Sequence, residues 1–185
     1  MNYIVLSPGR TGGTLIVKNL NSLDPNKETA YITHRPKMLD STDIRFVSST
    51  DIPREPDNNI PVFSKRRCIY NAVLSMAIMG HTSESHHYTN NWDTQSFTLS
   101  KHQFIINYLY FLNFYDHIDL SVYDCPPVTV YYEDMIKDPL YLFKQFGIEK
   151  SIDYSLCTQS PPRHNMISNL DELKEVCYKQ RWAIE

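Results

Sequence analysis

The sequence predicts an α/β fold in which helices flank a mostly parallel central sheet. Short apolar runs of strand length alternate with segments whose apolar residues recur at helical spacing, and this alternation is typical of parallel sheets. The first strand-like run passes through a glycine-rich turn directly into a helical segment. With 185 residues, of which 42% are hydrophobic and 21% charged, the chain suits one domain over residues 1–185.

The first half of the chain contains strand-like runs separated by polar loops and two helical segments. An apolar run at 3–7 precedes a helix that begins inside the glycine segment, with Leu15 and Ile16 among its apolar positions. A second helical segment starts near Ile69 and follows the basic residues Lys65-Arg66-Arg67. Further strands are predicted at 29–33, 44–48 and 60–64.

The second half predicts a long buried helix, a strand and two capped helices. Ser100 and Gln103 form a capping-box pattern ahead of a very apolar helix over 104–115. Pro126-Pro127 precedes a strand at 128–132. Two further helices follow, one from Asp138-Pro139 to Gly147 and one capped by Asn169 with Glu172.

Charge and cysteine content narrow the class of protein. The net charge of -3 offers no global basic field for nucleic acid, so any anion site must be built locally. We expect no membrane span and no signal peptide, because no apolar run has the required length. The four cysteines are widely spaced and form no CxxC pair, which favours reduced thiols in a cytoplasmic protein.

The segment from Leu6 to Leu15 (LSPGRTGGTL) has the composition of a loop that cradles an anion. A strand, a glycine-rich turn and a helix start together place backbone N–H groups and the positive end of the helix at one point. Gly9, Gly12 and Gly13 let the backbone approach an anion, Arg10 can bind two of its oxygens, and Thr11 and Thr14 offer hydroxyls. The alternative is an ordinary tight turn.

This loop differs from the Walker A pattern, which requires a lysine before the final Ser or Thr. Here Gly13 precedes Thr14, so a triphosphate with Mg²⁺ would lack its usual lysine. The loop therefore suits a ligand with fewer phosphates and no required metal. A metal cluster of His81, Glu84, His86 and His87 is not expected, because these residues lie in a polar stretch without periodicity.

The segment from Ser7 to Leu15 resembles the 5′-phosphosulfate loop of sulfotransferases that use 3′-phosphoadenosine-5′-phosphosulfate (PAPS). The resemblance implies a three-layer P-loop-type fold, PAPS as donor and the bisphosphate PAP as product. The chain departs from the family with an additional Gly9 and with Gly13 where Ser or Thr is common. The residues that the resemblance assigns to the cofactor in this loop are Arg10, Thr11, Gly12, Gly13, Thr14 and Leu15.

Three later segments are also similar to this family. Arg67 and Ser75, eight residues apart, match the arginine and serine that hold the 3′-phosphate, although Cys68 replaces a frequent aspartate. The run from Val130 to Met135, followed by Asp138-Pro139, is similar to a structural signature near the end of these domains. The resemblance also assigns Arg163 and His164 to a late basic loop that closes on the 3′-phosphate.

Sulfuryl transfer requires a base for the acceptor hydroxyl and donors for the leaving oxygen. Arg10 and the loop amides are the predicted donors. His34, which follows the second strand, is the candidate base, because the carboxyl ends of parallel strands converge on one crevice. Its alternative interpretation is a surface histidine beside Arg35, and Glu28 and Asp40 are weaker candidate bases.

Three functions remain open at this point. The leading hypothesis is a PAPS-dependent sulfotransferase that acts on a hydroxyl of a small molecule, sugar or lipid. The alternatives are a P-loop-type nucleotide or phosphosugar kinase and a non-catalytic sulfotransferase-like binding module. The acceptor pocket is expected to involve residues 36–60 and 80–100, with Tyr88, Trp92 and Phe97 as possible lining residues.

Overall fold

Four parallel strands form the central sheet in a computed structural model that describes residues 2–25, 30–33, 59–82, 96–157 and 164–184. The strands are β1 (Asn2–Leu6), β2 (Ala30–Thr33), β3 (Asn59–Lys65) and β4 (Val128–Tyr131). Their spatial order is β2-β1-β3-β4, and each neighbouring pair is parallel. The prediction of an α/β fold with a parallel sheet is therefore confirmed, while the strand predicted at 44–48 lies outside the described residues.

In the described part of the chain, one α-helix follows the first strand, two follow the third strand and three follow the fourth strand. None of the helices in the described part of the chain combines the length and apolarity that a bilayer crossing requires. All four cysteines are free thiols, as expected. The helices are α1 (Gly13–Asn21), α2 (Tyr70–Thr82), α3 (Lys101–His117), α4 (Tyr132–Lys137), α5 (Tyr141–Lys144) and α6 (Leu170–Gln180).

The chain contacts divide the protein into two compact units. One unit comprises Met1–Arg66 with Phe114–Cys157, and the other comprises Arg67–Asn113 with Thr158–Glu185. The sheet, α1, α4 and α5 belong to the first unit. The assignment of residues 1–185 to a single domain stays a prediction.

Both faces of the sheet are covered in the first unit. On one face, Val5 and Val62 join a buried cluster with Ile16 of α1. On the other face, Phe63 packs against the rings of Phe114 and Tyr115, at centroid distances of 6.2 and 5.7 Å. Because side chains alternate along a strand, burial of both faces explains why β1 and β3 read as continuous apolar runs.

Aromatic side chains form the core of the second unit. Phe104 is fully buried between the rings of Tyr70 and Tyr108, each with its centroid 5.9 Å away. The indole of Trp182 stacks on Tyr108 at 4.1 Å, and the Tyr108 hydroxyl donates to the Ala183 carbonyl. The long apolar helix is thus buried along one side, although Ile106 and Leu109 on α3 are exposed.

The segment after β4 differs from the predicted single helix. The strand ends at Tyr131, and α4 begins at once with Tyr132, where the apolar pattern predicted another strand residue. The Asp138 side chain accepts from the Leu140 N–H at 2.9 Å, as a capping residue does, but α5 has only four residues. The helix ends earlier than the predicted stop at Gly147: α5 ends at Lys144 with Gln145 as its C-cap, and Gly147 follows in a turn with a left-handed φ of 68°.

The two other predicted caps have different outcomes. Ser100 accepts from the Gln103 N–H at 3.1 Å, as the capping box predicts. The prediction that the Asn169 side chain caps α6 was wrong, since the helix start has no side-chain cap bond there. Instead, its amide bonds to both the N–H and the carbonyl of Leu99, each at 3.0 Å, because a two-sided amide can satisfy both groups of one residue.

Candidate anion-binding site

The order of the strands reverses direction at β1. The chain leaves β1 toward β2 on one side, and β3 lies on the other side of β1. Leu6 pairs with Thr33 of β2 and with Phe63 of β3, so the three strands end at the same edge of the sheet. In open parallel sheets, ligands bind at such a reversal of strand order. The loop over 7–12, which follows β1, lies at this point.

The loop has an unusual backbone. Gly9, Arg10 and Gly12 have positive φ angles of 87°, 55° and 87°. Gly12 is left-handed and Gly13 begins α1, and such a pair of conformations turns successive N–H groups toward a common concavity that suits an anion. Arg10 has a side chain and is therefore strained in this region, at a cost of about 1–2 kcal/mol. Strain of this kind concentrates at functional sites.

Two of the loop glycines are required by packing inside the protein. A Cβ on Gly13 would lie 2.6 Å from the Ile32 Cδ1 atom and 2.7 Å from the Ser7 hydroxyl oxygen. A Cβ on Gly12 would lie 2.7 Å from a ring carbon of Tyr132. The sequence interpretation gave these glycines the task of admitting the ligand. The structure adds that they let α1 begin close against β1, β2 and α4.

A network of buried hydroxyl groups supports the loop from beneath. The Thr11 and Ser7 hydroxyl oxygens are 2.8 Å apart, and the Ser64 hydroxyl donates to the Thr11 carbonyl at 2.7 Å. All three residues are fully buried. The Thr11 hydroxyl therefore holds the loop in place, and the prediction that Thr11 contacts the ligand rests on its backbone N–H.

The start of α1 presents N–H groups that the helix itself does not use. The helical ladder begins with the bond from the Ile16 N–H to the Gly12 carbonyl, so the N–H groups of Gly13, Thr14 and Leu15 precede it. No side chain caps this end of the helix in the described part of the protein. Thr14 is exposed, so its hydroxyl can reach a ligand, whereas Leu15 is buried and can contribute only its N–H.

Two arginines meet at this loop. Burial lowers the pKa of the Arg10 guanidinium below its ordinary value, and the positive charge of Arg66 lowers that pKa further. An opposing contribution from Tyr132 raises it. The second of these causes means that two positive charges stand close together at the loop, and such an arrangement favours a bound anion.

Arg66 was missed by the sequence interpretation, which selected its neighbour Arg67. The Arg66 side chain donates two hydrogen bonds to the Arg10 carbonyl, from Nε at 3.2 Å and from Nη2 at 3.1 Å. Its Nη1 lies 3.4 Å from Glu133 Oε1, and its guanidinium carbon lies 3.8 Å from the Tyr132 ring centroid. The available sequence signal was its place in the basic run after a predicted strand, and the pairing of β3 with β1 that brings Arg66 to the loop is seen in the structure.

The remaining predicted residues belong to the second unit or lie outside the described residues. Arg67 is exposed just before α2, and Ser75 is half-buried on α2, so both belong to the second unit. His164 is half-buried in a short 3₁₀ helix of that same unit. His34 and Arg163 lie outside the described residues, as do Glu28, Asp40, Glu84, His86 and His87.

Within the second unit, Phe97 lines a cleft of about 580 Å³ together with Met76, Met79 and Leu99. This residue was one of the predicted lining residues of the acceptor pocket, and the other two, Tyr88 and Trp92, lie outside the described residues. The assignment of Phe97 to an acceptor stays a prediction.

No protein-family model, curated protein or solved structure matches this chain.

Proposed function

We propose that the protein is a PAPS-dependent sulfotransferase that transfers a sulfuryl group to a hydroxyl acceptor. The observation that carries this proposal is the left-handed glycine–arginine loop at the junction of β1 and β3, backed by Arg66. Strand order, helix start and arginine pair each favour an anion at the same point. The three-layer P-loop-type fold is part of this proposal.

The proposed reaction forms a bond between the acceptor oxygen and sulfur and breaks the bond between sulfur and the 5′-phosphate oxygen. The acceptor proton passes to a base, for which His34 remains the candidate, and PAP leaves as the second product. Negative charge develops on the bridging oxygen as that bond breaks. The N–H groups at the start of α1 and the Arg10 guanidinium are the donors proposed to stabilise it.

The first experiment is calorimetric titration of the protein with PAP in the absence of metal. We expect binding at sub-millimolar PAP, because the loop offers several charge-assisted hydrogen bonds to the 5′-phosphate. Transfer of label from PAPS to a panel of hydroxyl acceptors then tests catalysis. Absence of PAP binding at these concentrations would contradict the proposal, and Mg²⁺-dependent turnover of ATP would favour the kinase alternative.

Replacement of Arg67 tests the assignment of the 3′-phosphate. If Arg67 binds that group, Arg67→Ala should lower the affinity for PAP by about 10- to 100-fold, since a hydrogen bond to a charged group is worth about 1.5–3 kcal/mol. The same variant should bind 5′-AMP nearly as well as the wild type, because 5′-AMP has no 3′-phosphate. Equal losses for the two nucleotides, measured side by side by calorimetry, would argue against this assignment.

A further inference from the structure

The Arg10 peptide requires an external support. A residue with a side chain is sterically disfavoured at the Arg10 φ of 55°. Free in solution, the loop would leave this conformation for most of the time. A structure that binds an anion with the Arg10 guanidinium must therefore hold the residue in place before the ligand arrives.

Arg66 has the geometry of such a support. A guanidinium presents its N–H groups in a rigid plane, and two of them converge on the single carbonyl of Arg10. Its remaining edge faces Glu133, and its flat face covers the ring of Tyr132. Only 16% of the Arg66 side chain is exposed, so these contacts account for most of its surface.

Tyr132 lies beside both Arg66 and the loop. Tyr132 lies under the Arg66 guanidinium, and its ring also fills the space beside Gly12. The backbone N–H of Arg66 donates to the Tyr115 hydroxyl at 3.2 Å. Backbone and side chain of Arg66 are thus both fixed by residues outside the loop.

We infer that Arg66 is a positioning residue, which locks Arg10 in its left-handed conformation and is itself oriented by Glu133 and Tyr132. This inference rests on the proposed anion site. Arg66 acts through the Arg10 carbonyl, and its charge adds to the positive field of the loop. Lysine cannot replace it, because an ammonium group lacks the planar pair of N–H groups and the flat face that Tyr132 covers.

Chemical rescue tests this role. Arg66→Ala removes a planar guanidinium group, and the free guanidinium ion in solution has the same shape. We expect the variant to bind PAP and pyrophosphate about tenfold more weakly or worse. Low, non-denaturing guanidinium chloride should restore several-fold of the lost affinity, whereas equal concentrations of ammonium or sodium chloride should not. A purely structural contact would change thermal stability without this selective recovery of anion affinity.

Matched variants complete the test. Lys65→Ala removes the adjacent positive charge, which lies over the rings of Phe63 and Tyr115, and should change anion affinity less than twofold. Arg66→Lys should behave like Arg66→Ala. If Arg66→Ala does not fold, Glu133→Gln tests the positioning role instead. This variant loses the charge that orients Arg66, so its affinity for PAP and for pyrophosphate should still fall several-fold.

The outcomes separate this inference from the proposed function. Pyrophosphate binding with guanidinium rescue, but without PAP binding, would support the positioning role and contradict the sulfotransferase. PAP binding that Arg66→Ala and Glu133→Gln leave within twofold of wild type would overturn the positioning role and leave the sulfotransferase standing. If the wild type binds neither PAP nor pyrophosphate, both the positioning role and the proposed function are overturned.

Discussion

Replacement of Arg10 by glycine is expected to remove most of the affinity for PAP while leaving the protein as stable as the wild type or more stable. Arg10 is strained at a φ of 55°, and glycine adopts this conformation freely, which recovers about 1–2 kcal/mol. The variant also removes a partly buried cation that Arg66 repels. The greater flexibility of glycine in the unfolded chain offsets part of this gain, by about 0.5–1 kcal/mol.

The loss of affinity follows from the contacts that the guanidinium can make. A bidentate, charge-assisted contact to a phosphate oxygen pair is among the strongest hydrogen bonds in proteins. We expect PAP binding to weaken by about 100-fold, which corresponds to about 2.7 kcal/mol. Calorimetry measures the affinity, and thermal unfolding without ligand measures the stability.

Arg10→Asn is the matched control for loop flexibility. Asparagine tolerates the left-handed region better than most residues but has no positive charge. If the guanidinium is what binds, both variants should lose affinity to the same extent. Normal PAP binding by Arg10→Asn would show that the Arg10 side chain does not contact PAP. A large drop in the melting temperature of Arg10→Gly would show that the Arg10 backbone is not strained.

Replacement of Gly12 by alanine is expected to cause the largest loss of stability in the loop. Gly12 has a φ of 87°, and its Cβ would approach Tyr132 at 2.7 Å and Met135 Cε at 3.0 Å. The left-handed strain costs about 1–2 kcal/mol, and overpacking adds about 1–3 kcal/mol. Because Tyr132 also lies under Arg66, displacement of its ring should weaken anion binding as well.

Gly147→Ala provides the matched control for backbone strain. Gly147 also has a positive φ, of 68°, but a Cβ at this position would have nothing within 4 Å. Gly147→Ala should therefore lower the free energy of unfolding only by the cost of backbone strain, about 1–2 kcal/mol. Urea unfolding of the two variants measures the difference, which isolates the packing of α1 against α4. Equal losses in the two variants would mean that Tyr132 and Met135 move aside without cost.

Local features of the site were predictable from the sequence. The order of strand, glycine turn and helix was correct around Arg10, because hydrophobic periodicity and glycine content act within a few residues. A helix that ends before Gly147 was predictable for the same reason. The start of α4 was missed, since the β-prone run continues past the point where the chain turns into a helix.

Long-range partners were not predictable. Asn169 was expected to cap its own helix, yet its amide bonds to Leu99, seventy positions away. Thr11 was expected to face a ligand, but its hydroxyl is buried against Ser7 and Ser64. Both residues have more than one way to satisfy their hydrogen bonds, and only the packed structure selects among them.

A glycine-rich loop between a strand and a helix, in a protein with a parallel sheet, could be predicted from the amino-acid sequence, because these properties depend on neighbouring residues. The position of this loop at the β1–β3 junction and the contact of Arg66 with the Arg10 carbonyl became visible in the folded chain. Strand order and side-chain partners arise from contacts between segments far apart in the chain, which local sequence patterns do not encode. Arg66 and Glu133, which are 67 positions apart, meet only when β3 and β4 pair.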